Sequence, residues 1–219
     1  MKTSDFIEKH QKDDIRKLAL QAAKYPDVDF PFALRQIAGR QIAAVKIPSW
    51  SGRGEMLYPA HLSLEQCSSE ITARYKASVF QGKKLVDLTG GFGVDCAFLA
   101  NGFEEVVYVE RKAELCEIAR ANFRALALHH VKVCNEEAEF YLKEMPPVDS
   151  IFLDPARRDK HGKKTVLISD CEPDVELLQQ QLLKKARSVW VKFSPMLDIS
   201  LAINQLHNTT EVHVVAVDN

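Results

Sequence analysis

The chain has 219 residues, enough to bury a sizeable core. Its formal net charge of −1 excludes whole-molecule attraction to nucleic acid or anionic membranes and confines any polyanion site to a local patch. The five cysteines, at positions 67, 96, 116, 134 and 171, are odd in number and form no C-x-x-C pair, which predicts reduced thiols in a cytoplasmic protein rather than a disulfide framework or a zinc site.

In chain order, Ser4 or Asp5 can cap a helix running to about Lys24, with Phe6, Ile7, Ile15, Leu18 and Ala22 as a broken apolar stripe. Asp29, with Pro31 shortly after, opens a second helix carrying Leu34, Ile37, Ala38, Ile42 and Val45 at helical spacing. The stretch IPSWSGRGEMLYP reads as loop. Ser63, with Gln66 three residues on as its capping-box partner, starts a third helix predicted to reach about Phe80. The expected organisation is a helical accessory region over 1–62 and a second domain over 63–219.

From Lys84 the pattern becomes strand–helix alternation. Strands are predicted at 84–88, 106–109, 131–134, 150–153, 188–193 and 211–217, with helices at 94–101, 112–127, 136–144, 173–186 and 197–206. Short apolar strands alternating with helices specify an α/β fold, a doubly wound Rossmann-like parallel sheet. Ligands of such sheets bind beyond the carboxyl ends of the strands, at the topological switch point. The unusual residues of this sequence fall at those ends.

The first is LVDLTGGFGVDCAFL, residues 85–99. A dinucleotide turn needs G-x-G-x-x-G; Gly91 and Gly93 supply two glycines, but Cys96 takes the third place. Asp87 at the strand end would repel a pyrophosphate. It suits a ligand with an ammonium group and no phosphate, and S-adenosylmethionine offers an α-amino group together with a carboxylate for helix-end N–H groups. A Walker loop fails as well, because Gly162-Lys163-Lys164-Thr165 lacks the earlier glycine. The second strand ends in Glu110, placed to accept ribose hydroxyls. The third is followed by Asn135-Glu136-Glu137-Ala138, where a carboxylate and a backbone N–H could read an adenine edge. The fourth ends in Asp154-Pro155-Ala156-Arg157, beside the basic run RRDKHGKK (157–164), whose position suits RNA phosphate.

These strand ends resemble the class I S-adenosylmethionine-dependent methyltransferases over roughly residues 63–219. DLTGGFGVD followed by IFLDPAR looks most like the RNA-directed amino-methyltransferases, including the guanine-N2 cap methyltransferase-like group and the bacterial THUMP-like enzymes. LSLEQCSSEITARYKA resembles the helix that in these enzymes precedes the first strand and covers the cofactor. The resemblance implies cofactor binding by Asp87, Thr89, Gly90, Gly91, Phe92, Gly93, Asp95, Glu110, Arg111, Glu137, Ala138 and Asp154, and catalysis by Asp154, Pro155 and Arg157. It implies methylation of RNA, at a base amino group, without a metal or a membrane. Two departures stand out: Thr89 replaces the first glycine of the usual turn, and Pro155-Ala156-Arg157 replaces the family's Pro-Pro-aromatic. A non-catalytic RNA- or cofactor-binding module is the competing reading; an NAD oxidoreductase is disfavoured by Asp87 and Cys96. The resemblance also implies that a longer gene product continues past Asn219 with a last strand and an RNA-binding domain.

Overall fold

The structure is a computed structural model, and it describes residues 1–157, 167–194 and 197–217. The N-terminal part is helical: α1 (Thr3–His10), α2 (Ile15–Ala19), α3 (Phe30–Lys46), α4 (Pro48–Ser51), α5 (His61–Gln66) and α6 (Glu70–Val79). The single helix predicted to Lys24 is broken because the Asp14 carboxylate accepts from the Arg16 and Lys17 N–H groups and starts α2 anew. Asp29 caps α3 as predicted, accepting from the Phe32 N–H at 3.1 Å. The helix predicted over Ser63–Phe80 is two. Cys67 is extended, Ser69 caps α6, and Ser63 lies inside α5, so the capping box with Gln66 does not form.

The α/β part follows the predicted alternation: β1 (Lys84–Asp87), α7 (Val94–Leu99), β2 (Glu105–Val109), α8 (Ala113–Ala125), β3 (Val131–Cys134), α9 (Ala138–Glu144) and β4 (Val148–Leu153). A small antiparallel pair, β5 (Ala156–Arg157) and β6 (Cys171–Glu172), comes next, without a periodic signal in its two-residue strands. Then follow α10 (Val175–Lys185), β7 (Ala186–Val191) and α11 (Ile199–Gln205). The main sheet is wholly parallel in the order β3-β2-β1-β4-β7. Chain order reverses between β1 and β4, which makes the carboxyl ends of those two strands the switch point.

Both sheet faces are covered, as short all-apolar strands require. Leu85, Val106, Tyr108 and Phe152 face a core shared with Trp50, Tyr58, Phe92 and Phe123. Val86, Val109, Ile151 and Leu153 face a second core with Leu142, Val175 and Leu182. Residues 211–217, expected as a strand, take no strand pairing and are mostly exposed. The apolar alternation of EVHVVAV matches strand periodicity, but a strand needs a ladder partner, and none is present among the described residues. His213 anchors the segment, with its ring 5.6 Å from Trp190 and its Nδ1 2.8 Å from the Tyr75 hydroxyl.

Candidate active site

At the carboxyl ends of β1, β2, β4 and β7 lies a cavity of about 790 Å³, a size usual for a small-molecule site. Asp87, Thr89, Gly90, Gly91, Phe92, Gly93, Asp95, Glu110, Arg111, Glu137, Ala138, Asp154 and Pro155, all expected from the sequence, line it, and the backbone of Arg157 pairs with Cys171 in the β5–β6 hairpin. Residues 158–164 of the basic run lie outside the described residues.

Asp87 ends β1 and is 1 % exposed. Its Oδ1 accepts from the Thr89 N–H at 3.0 Å. Burial pushes its carboxyl well above the usual range, and the neighbouring carboxylates of Asp95, Asp154 and Glu110 push the same way. The glycine turn follows. Gly90 has no room for a side chain, since a Cβ there would sit 2.2 Å from the Tyr108 ring. Gly93 adopts φ +86° where the turn enters α7. The Tyr108 hydroxyl donates to the Gly91 carbonyl, and the Phe92 ring turns away into the core against Trp50, 5.4 Å between centroids.

Glu110, just past β2, fixes the same turn from the other side. Its Oε2 accepts from the Gly91 N–H at 3.0 Å and its Oε1 from the Lys112 N–H at 2.8 Å. Each oxygen keeps a further lone pair for a ligand hydroxyl. Thr89 explains the departure from glycine: its hydroxyl accepts the Asp154 N–H at 2.6 Å and so ties the end of β1 to the end of β4. Arg111 pairs with Glu172 at 2.9 Å and with Glu137 at 3.9 Å, while Ala138 opens α9 on the cavity wall.

Three participants escaped the sequence reading. Lys192, one residue past β7, forms an ion pair with the Asp154 carboxylate. Burial raises the Asp154 pKa and Lys192 opposes that rise; the Asp154 charge in turn raises Lys192 above its ordinary value against its own desolvation. Lys76 of α6 pairs with Asp95 of α7 at 2.5 Å, with side chains 13 % and 10 % exposed. Ser68 sits between them, donating to Asp95 at 2.7 Å and accepting from Lys76 at 2.8 Å. Lys192 had a signal, a charge at the end of an apolar strand, as Asp87 and Asp154 have. Ser68 and Lys76 lie in the segment that resembles a cofactor-covering helix, but their pairing with Asp95 had no signal, because the break between α5 and α6 that brings Ser68 inward has no glycine or proline.

The carboxylates of Asp87, Asp95, Glu110 and Asp154 outnumber the two ammonium groups set among them, so the cavity favours a cationic ligand. Among known proteins, the chain is similar to a solved structure from Porphyromonas gingivalis W83 that is provisionally described as a methyltransferase. The two are 30 % identical with a TM-score of 0.76, over 92 % of this chain and 50 % of that one. The two share one α/β fold with a Rossmann-like parallel sheet in this chain. A curated relative, protein-L-isoaspartate O-methyltransferase from Chromobacterium violaceum, is 29 % identical over 57 % of this chain and 63 % of its own length. The chain thus spans 50 % and 63 % of the lengths of these two proteins. No protein-family model matches it. Among the described residues, no helix is long and apolar enough to cross a membrane.

Proposed function

We propose that the chain carries an S-adenosylmethionine-dependent methyltransferase site and that its substrate is RNA. One observation carries the cofactor assignment: Asp87, Glu110 and Asp154 stand at the ends of three neighbouring strands, around one cavity and one glycine turn. The donor set fits that cofactor and not a dinucleotide. A buried carboxylate beside the turn attracts an ammonium group and repels a pyrophosphate. The spare lone pairs of Glu110 suit a ribose diol. The excess of carboxylates offsets a ligand bearing both sulfonium and ammonium charges.

In this reading the bound cofactor supplies an activated methyl group. Asp87 holds the ammonium, and its carboxyl is ionised by that contact. Glu110 holds the ribose while keeping the turn shut through Gly91 and Lys112. Glu137 and Ala138 flank the position of the base, and Asp154 and Pro155 face the incoming acceptor. The main contribution to rate is orientation of the acceptor against the methyl group. RNA as the substrate rests on the sequence resemblance and on the basic run that follows β5.

The test is transfer of radiolabelled methyl from S-adenosylmethionine to total RNA. Label in RNA that depends on Asp154 supports the proposal. Cofactor binding with no transfer to RNA would favour the non-catalytic module instead.

A further inference from the structure

We propose that Lys192 and Asp154 act as a unit that selects an oxygen acceptor, so that the methylated atom is a ribose hydroxyl of the RNA rather than a base amino group. The proposal rests on the methyltransferase reading above and differs from it in what it says of the acceptor. An amine acceptor on a base needs a flat surface to hold that base. Here Pro155 is followed by Ala156, not by an aromatic ring, and the Lys192 ammonium stands at Oδ2 of the Asp154 carboxylate. A nitrogen acceptor also gains positive charge as it takes the methyl group, and a fixed ammonium beside it opposes that change.

A hydroxyl acceptor reverses each of these terms. Its oxygen becomes partly anionic as its proton leaves, and the Lys192 ammonium stabilises that charge. Asp154 is a suitable proton acceptor, because burial raises its proton affinity while Lys192 keeps it ionised until the proton arrives. In the step, an oxygen lone pair forms the O–CH3 bond and the methyl–sulfur bond breaks with its electron pair left on sulfur. The hydroxyl proton passes to the Asp154 carboxylate. The sulfonium charge and the carboxylate charge disappear together, and no further reactant is needed. The groups acting on Asp154 are Lys192 past β7, Lys76 on α6, Asp95 on α7 and Asp87 on β1. Lys76 is largely committed to Asp95 and Ser68, which leaves Lys192 as the direct partner.

Two measurements test this. RNA labelled by the intact chain is hydrolysed in alkali, which cleaves next to free 2′-hydroxyls only. Label retained in alkali-resistant dinucleotides is the expected result; label in mononucleotides carrying a methylated base overturns the acceptor assignment and leaves the methyltransferase reading standing. Absence of any label in RNA removes both. Independently of turnover, the Asp154 carboxyl is titrated by carbon-13 NMR in the wild type, Lys192→Met and Lys192→Arg. Lys192→Met should raise its midpoint and lower transfer roughly 10²–10³-fold, and Lys192→Arg should restore most of both. Binding of S-adenosylhomocysteine by each variant verifies that the site is folded. A midpoint unmoved by Lys192→Met would overturn the unit.

Discussion

Asp87, proposed above to hold the cofactor's ammonium group, is buried at the expense of stability. Its carboxyl is buried and its pKa is raised mainly by desolvation. The folded chain therefore holds that proton more tightly than the unfolded chain, whose Asp titrates near 3.9. From about pH 4 upward, stability falls as pH rises toward the raised folded value, because the native state must either keep a proton or bury a charge. The Asp87→Asn variant removes this slope. In the ligand-free protein it should unfold at a higher temperature than wild type at neutral pH, with the difference shrinking below about pH 4. It should also bind S-adenosylhomocysteine less well. Thermal unfolding over a pH series checks the first expectation, and parallel pH slopes for the two proteins would refute it. Asp87 was conspicuous in the sequence because a charge at the end of an apolar strand needs a reason. The environment that perturbs it was not, since Asp95 and Asp154 reach it only through the fold.

At the scale of elements, the alternation from β1 to β7 could be read from periodicity because the central strands β1, β2 and β4 are buried on both faces and the helices between strands on one. The breaks in the N-terminal helices were harder. Asp14 and Ser69 are interior to plausible helical stripes, and only the structure shows that their side chains bond forward to cap new helices. The joint between the N-terminal region and the sheet was equally hidden. Asn122 of α8 is fully buried, accepting from the Leu57 N–H at 2.8 Å and donating to the Leu57 carbonyl at 2.9 Å. Gln36 of α3 does the same to Tyr58, with both bonds 2.9 Å. These two amides hold residues 57 and 58 between α3 and α8, and they carry Trp50 and Tyr58 into the core beneath Phe92. Asn122→Ala strands a buried N–H and C=O and should destabilise the chain by about 1–3 kcal/mol. Chemical denaturation would show it as a lower midpoint at unchanged slope; an unchanged midpoint would mean that the joint does not couple the two parts.

For the whole molecule, a near-neutral net charge hides a strongly uneven distribution, with carboxylates gathered at the strand ends and cations paired among them. That distribution, with the parallel order β3-β2-β1-β4-β7, makes a cationic nucleoside a better ligand than a dinucleotide. The most direct test is calorimetric titration of the 219-residue chain with S-adenosylhomocysteine and, separately, with NAD. The account predicts single-site binding of the sulfur compound, weakened by about 1–3 kcal/mol in Glu110→Ala, and no heat from NAD. Binding of NAD without binding of S-adenosylhomocysteine would contradict it.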